Sequence, residues 1–327
     1  MNIILIFLLS AGIASAKYIL KYSVEDAPAH FEDFIQTYNK EYDDTEKTVR
    51  YEIFLKNLEK INKFNEKSNH TEFGITQFAD LTPEEFVQRH TGYKSGLFDD
   101  YCTYNAELEL EPINAPDEFD WRSHGVVSPV KNQQQCGSCW AFSTTGNVES
   151  AYAIKNGQLL SLSEQQLIDC DKKSFGCNGG LPVYAIKYLE KNGAMTEDSY
   201  PYEARDGQCR FDSQSAQVQV VGCTSVQASE DQLPEKLAQI GPLSIALDGE
   251  SVQLYKGGIM SGDFCQGRQI SHAVLLVGYG TGEDGTPYWL IKNSWGENWG
   301  ENGYFRIQRG VNCVLVAQEA PTTAIVA

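Results

Sequence analysis

Nine cysteines in 327 residues constrain this chain more than any other feature. That density is foreign to a cytosolic protein and points to an oxidising compartment, where disulfides form and persist. The remaining composition is ordinary for a globular protein. Apolar residues make up 42% and charged residues 21%, which excludes a disordered or fibrous chain. The length is roughly two domains' worth, enough to bury a sizeable core. The formal charge of −18, with a pI near 4.7, argues against nucleic acid and against anionic lipid as partners. It suits an acidic compartment, where protonated carboxylates relieve self-repulsion.

The chain divides into three zones. Ile3 to Leu9 is a short apolar run, and Ala14-Ser15-Ala16 offers a small-residue cleavage site. This reads as a signal peptide over residues 1–16, although the n-region lacks Lys and Arg. The run is too short to span a bilayer, and no later stretch approaches 18 apolar residues, so no membrane partner is expected. Residues 17 to about 100 are charge-rich, with Glu46, Arg50, Phe54, Asn57, Ile61 and Asn65 falling on one stripe of a long helix. Asp99 to Pro116 reads as an exposed connector, and beyond it Gly, Trp and Cys become frequent. From Ala115 onward 15 basic residues face 24 acidic ones, a net of −9, and residues 1–114 carry the other −9. Opposite net charge therefore cannot hold the two parts together. Apolar docking and local pairing must do so.

Cys139 follows Gln133-Gln134-Gln135-Cys136-Gly137-Ser138 and opens a segment that reads as a helix to about Lys155, stopping at Asn156-Gly157. A thiol at a helix N-terminus meets unpaired N–H groups and the positive end of the dipole, which favour the nucleophilic thiolate. Taken alone, Cys136-x-x-Cys139 is equally a redox or metal pair. His272 begins a strand-like run to Gly280, and Tyr288 to Asn293 forms a second, with a turn by composition over residues 281–287. An antiparallel hairpin closed at that turn sets His272 roughly opposite Asn293, whose amide can fix the imidazole tautomer. A cysteine at a helix start, a histidine at a strand start and an asparagine across the hairpin together suggest nucleophilic catalysis.

These segments resemble the papain family of cysteine peptidases. The resemblance rests on the residues around Cys139, the segment at His272, Asn293-Ser294-Trp295-Gly296, and a Cys-to-His separation of 133 residues. Glu46, Arg50, Ile53, Phe54, Asn57, Ile61 and Asn65 reproduce the E-R-F-N-I-N signature of that family's inhibitory propeptide. Gly74 to Asp80 resembles its G-x-N-x-F-x-D segment, with Thr76 in place of Asn. The cathepsin L/F-like branch and the viral cathepsins look nearest. The resemblance implies an α+β, two-lobed fold with a helical left lobe and a β-barrel-like right lobe, preceded by a helical propeptide. It implies a propeptide over residues 17–114, whose connector runs through the cleft, and a mature part over residues 115–327.

The resemblance also assigns roles. Cys139 is the expected nucleophile, His272 its ion-pair partner and general acid/base, Asn293 the residue that orients it and Trp295 the shield of that bond. Gln133 is expected to donate to the oxyanion. The substrate pocket maps onto Gly179, Gly180, Leu181, Pro182, Ala246 and Ala273, with its floor at either Gln318 or Glu319. The implied disulfides are Cys136–Cys177, Cys170–Cys209 and Cys265–Cys313. Cys102 and Cys223 are left over, and the sequence does not decide whether they pair, although the unpaired form is favoured. Gln134 and Val314 stand where the family usually has Gly, and Ser271 where Asn or Asp is common.

Other signals are accessory. Gly278-x-Gly280-x-Gly282 is followed by a strand rather than a helix and fails as a dinucleotide loop. Asn69-His70-Thr71 is a glycosylation sequon within the propeptide. No metal or cofactor is expected, since His124 and His272 are the only histidines after Pro116. The expected product is a monomeric endopeptidase zymogen of the secretory path, extracellular or in a lysosome- or endosome-like compartment. It would act at acidic pH on proteins and peptides, with its own propeptide as inhibitor. The rivals are a thiol–disulfide oxidoreductase using Cys136 and Cys139, and a non-catalytic binding protein on a peptidase fold.

Overall fold

A computed structural model describes residues 20–96, 102 and 113–327. The expected signal peptide and most of the connector from Asp99 to Pro116 lie outside these residues.

The first part is helical: α1 (Ala27–Thr37), α2 (Asp44–Lys67), a short strand β1 (Thr71–Phe73) and α3 (Pro83–His90). Helix α2 starts where the Asp43 side chain accepts the Glu46 N–H. It buries Arg50, Phe54, Asn57, Ile61 and Asn65, the stripe expected from the periodicity, while Glu46 stays exposed at its edge. The polar members of the stripe are ties to the next segment. Asn57 Nδ2 donates to Ala79 O and Leu81 O at 2.8 and 3.0 Å, and Asn65 bonds both backbone groups of Phe73. Arg50 Nη1 reaches Glu85 at 2.8 Å. Glu85 in turn closes the capping box of α3 with Thr82.

The second part carries β2 (Phe119–Asp120), α4 (Cys139–Asn156), α5 (Glu164–Cys170), α6 (Pro182–Asn192), the small pair β3 (Ala194–Met195) and β4 (Ala216–Val218), and β5 (Val220–Ser225). Then come α7 (Leu233–Ile240), β6 (Leu243–Leu247), β7 (Tyr255–Met260), β8 (His272–Thr281), β9 (Pro287–Lys292), β10 (Tyr304–Gln308) and β11 (Thr322–Val326). The main sheet runs β1-β7-β10-β9-β8-β6-β11-β5, with β2 beside β8. Helix α4 is buried almost all round, as a helix between two lobes must be. One apolar core joins α4, α5 and α6 to β5 and β11. A second joins the sheet to Phe31, Phe54, Phe78 and Phe86 of the helical first part.

The two parts are thus held by apolar packing and by local pairing, not by net charge. Strand β1 adds antiparallel to the edge strand β7, Thr71 opposite Gly258. Phe78 and Phe86 meet the Trp295 indole edge-on at 5.3 and 5.2 Å.

One expectation needs correcting. The β8–β9 hairpin pairs Thr281 with Pro287 and has a bulge near Val277, so it centres on Asp284 and not between Gly282 and Glu283. His272 and Asn293 are therefore diagonal neighbours rather than directly opposed, still within reach of long side chains. Thr91 to Ser95, just upstream of the connector, lies against the cleft, and the connector itself is outside the described residues except for Cys102 and its end from residue 113.

Candidate active site

Cys139 is the first residue of α4, His272 the first of β8, and Asn293 follows β9. Sheet and helix meet here, since the N–H of Ala273 lies 3.4 Å from Cys139 Sγ. His272 Nε2 is 2.8 Å from Asn293 Oδ1. The same Oδ1 accepts the Ser294 backbone N–H at 2.8 Å, which fixes it as the oxygen of the amide. Nε2 must then carry the proton, and Nδ1 is left as the acceptor. Nδ1 is buried and makes no hydrogen bond. The Trp295 ring stacks on His272 at 4.5 Å, and Trp299 backs it edge-on, so water is kept off the His272–Asn293 bond.

Gln133 is fully buried beside this group. Its Oε1 accepts from Ser294 Oγ at 2.7 Å and its Nε2 donates to Cys136 O at 2.9 Å. The amide is therefore aimed at the turn that leads into Cys139.

The first part of the chain covers the site. Gly92 N and Tyr93 N donate to Ser271 O, Gly180 N donates to Gly92 O, and Lys94 N donates to Gly180 O. Cys139 and His272 are left with no exposed surface. Burial pushes the Cys139 thiol up to about 12, against the lowering influence of nearby backbone N–H groups, and pushes His272 down to about 4. The covered pair thus rests as neutral thiol and neutral imidazole. The helix N-terminus favours thiolate, but while the cleft is closed desolvation wins.

Leu181, Pro182 and Ala246 line one cavity of about 260 Å³ with Tyr93, Cys102 and Glu319. Gly179 and Gly180 are not in its lining and instead meet the segment at Gly92 to Lys94, Gly180 through both its backbone groups. A Cβ on Gly180 would stand 2.5 Å from Ser174 Oγ, so only glycine fits there. Ala273 sits at Cys139 instead of in this cavity. Glu319, not Gln318, reaches the pocket: its carboxylate accepts from the Tyr93 hydroxyl and from Ser95 Oγ, while Gln318 is exposed.

The cysteines form four disulfides, Cys102–Cys223, Cys136–Cys177, Cys170–Cys209 and Cys265–Cys313, leaving Cys139 free. The first corrects the favoured expectation that Cys102 and Cys223 stay unpaired. Asn69 is exposed in the turn before β1, and His124 stacks on Phe119, away from the site. Gln134 and Val314 both hold left-handed backbone, at φ 53° and 47°, which explains why glycine suits those positions.

Sequence reasoning missed a buried charge cluster behind Asn293. Lys131 Nζ is 3.1 and 2.7 Å from Glu149 and Glu164, and Lys292 Nζ donates to Ser128 Oγ. Burial raises Glu164 to about 7 and lowers Lys292 to about 8. A lysine inside an apolar strand run was the available signal, because charges are almost never fully buried unless paired.

Comparison with known proteins agrees with this geometry. Residues 115–324 match the family described as "Papain family cysteine protease", and residues 31–86 match "Cathepsin propeptide inhibitor domain (I29)". The viral cathepsin of Choristoneura fumiferana nuclear polyhedrosis virus is 41% identical over 327 residues, covering 99% of each chain. That of Autographa californica nuclear polyhedrosis virus is 39% identical, covering both chains completely. The digestive procathepsin L2 proteinase of Tenebrio molitor larval midgut superposes with a TM-score of 0.83 at 38% identity, covering 91% of this chain and 99% of that one.

Proposed function

The chain belongs to the papain family of cysteine proteases and is the zymogen of such an enzyme, and we propose on that premise that it is an acid-activated endopeptidase using Cys139, His272 and Asn293. The observation that carries this is the ordered group itself: a thiol at a helix start, and an imidazole whose free Nδ1 is set by Asn293 Oδ1 at 2.8 Å. Cys139 attacks the peptide carbonyl as thiolate. His272 Nδ1 takes the thiol proton and returns it to the leaving amine. Water then hydrolyses the thioester. Gln133 Nε2 and the Cys139 N–H receive the negative charge on the carbonyl oxygen. Trp295 keeps the His272–Asn293 bond dry.

Residues 1–16 would be a signal peptide, 17–114 the propeptide and 115–327 the mature enzyme. The disulfides favour a secretory path, ending outside the cell or in a lysosome- or endosome-like compartment. Glu319 at the pocket end favours Arg as well as apolar side chains before the residue at the cut. No helix among the described residues is long and apolar enough to cross a membrane. The oxidoreductase reading loses its couple, because Cys136 is bonded to Cys177 and not to Cys139.

The test is a peptide library cleaved by mature wild type, Cys139→Ser and Glu319→Leu. Activity should vanish in the first variant. In the second, kcat/KM for Arg before the cut residue should fall at least about tenfold, with Leu peptides little changed. Residual activity of Cys139→Ser near wild type would sink the assignment of the nucleophile.

A further inference from the structure

Among the described residues, two side chains reach the substrate cavity from upstream of residue 113, and they are held differently. Tyr93 is held there by hydrogen bonding to Glu319. Cys102 is held by a covalent bond to Cys223 on β5. Hydrolysis of the chain can free the first but not the second.

The surroundings of the bond matter as much. Cys102 and Cys223 are each 3% exposed. They belong to the core cluster that contains Trp140, Leu167, Ile186 and Val220, and Cys102 is its only described member from before residue 113. The disulfide is therefore covered by the protease part itself, not by the helices that pack over the cleft.

We propose that Cys102 stays on the active enzyme, bonded to Cys223, as a fixed wall of the pocket that receives the side chain before the cut residue. The inference rests on the cysteine-protease reading above and deepens it. The cleft is freed by peptide hydrolysis upstream of Cys102, after the strap at Thr91 to Ser95. Water adds across one peptide bond to give a carboxyl and an amine, and the disulfide is not consumed. A second cut near Ala115 leaves Cys102 on a short disulfide-linked peptide. Without that cut, Cys102 remains at the head of the continuous chain. In both forms it faces Leu181, Pro182, Ala246 and Glu319 across the cavity. The chain thus supplies part of its own specificity from a segment that in outline belongs to its inhibitor.

The experiment activates the 17–327 chain at pH 5 in the mild thiol that keeps Cys139 reduced. Free thiols are then alkylated, and the active protein is digested without reduction. Cys102 and Cys223 should emerge as one disulfide-linked, unalkylated pair. Alkylated Cys223, or active enzyme that has lost Cys102, overturns the proposal. The map is read whether or not the sample hydrolyses peptide, so an inactive sample counts against the assigned function and leaves this question decided separately. As a second measurement, the double variant Cys102→Ser, Cys223→Ser is assayed on peptides with Phe or Val before the cut residue. The ratio of the two kcat/KM values should move about tenfold, the scale of a reshaped apolar pocket. A ratio within twofold of wild type removes the wall role.

Discussion

Gly92 packs its backbone directly against the turn before Cys139, and a single methyl group there should loosen the zymogen. A Cβ on Gly92 would stand 2.1 Å from Gly137 O, 2.6 Å from its carbonyl carbon and 3.0 Å from its Cα. All three are backbone atoms of the turn just before Cys139, so no flexible side chain can give way. Gly92 also holds φ 149°, which residues with a Cβ rarely adopt. The strap must shift by about 1 Å, loosening its bonds to Ser271 O and Gly180 N. Overpacking typically costs about 1–3 kcal/mol, and each weakened hydrogen bond about 0.5–1.5 kcal/mol. A total of about 2–6 kcal/mol corresponds to a rise of about 30-fold or more, up to about 10⁴-fold, in the fraction of open cleft. The assay is the rate of alkylation of Cys139 by a small reagent in the intact zymogen at neutral pH. Gly92→Ala should speed it by at least about 30-fold over wild type. A rate within threefold of wild type would refute the claim that close backbone contact keeps the cleft shut.

Other positions give independent tests. Gln133→Ala should lower kcat by about 10²–10³ with the fold intact by circular dichroism, and a loss below tenfold would remove it from the oxyanion site. His90 is held neutral in the docked propeptide, lowered to about 4 chiefly by burial, with Lys40 and Arg89 adding to the effect and its bond to Gln134 O opposing it. Undocked His90 titrates near 6.5, so docking is full above that pH and weakens as pH falls towards 4, by at most about 3 kcal/mol. His90→Gln should flatten Cys139 alkylation against pH across that window, and an unchanged profile would exclude His90 as a contributor. Gln134 is exposed at φ 53°, so Gln134→Gly should stabilise the chain by about 0.5–1 kcal/mol in urea melts, and a loss would contradict the strain argument.

Much of the architecture could be read from residue spacing. The stripe from Arg50 to Asn65 announced α2, and Asn156-Gly157 marked the end of α4. Spacing could not reveal what those residues touch. Asn57 and Asn65 look like polar breaks in an amphipathic stripe, yet each binds backbone of the segment from Phe73 to Leu81. The hairpin was placed correctly but its register was not, because the bulge near Val277 leaves no mark in composition. Tyr93 gave no signal at all, since a tyrosine in a short irregular segment is unremarkable until Glu319 is brought to it by β11. Cys102 could not be paired from sequence, because disulfide connectivity depends on approach in space. The charge cluster of Lys131, Glu149, Glu164 and Lys292 was hidden for the same reason: its members are far apart along the chain.

The central claim is that residues before Ala115 silence a Cys139-based peptidase held in the rest of the chain. The most direct measurement incubates the 17–327 chain at pH 5 in mild thiol, beside a Cys139→Ala control. It follows reduced mass and hydrolysis of a peptide with Leu before the cut residue. The account predicts that wild type alone falls to the mass of a chain beginning near Ala115 or just upstream of Cys102, and that hydrolysis appears with that change. Hydrolysis by the Cys139→Ala chain, or full hydrolysis by wild type before any change in mass, would contradict it.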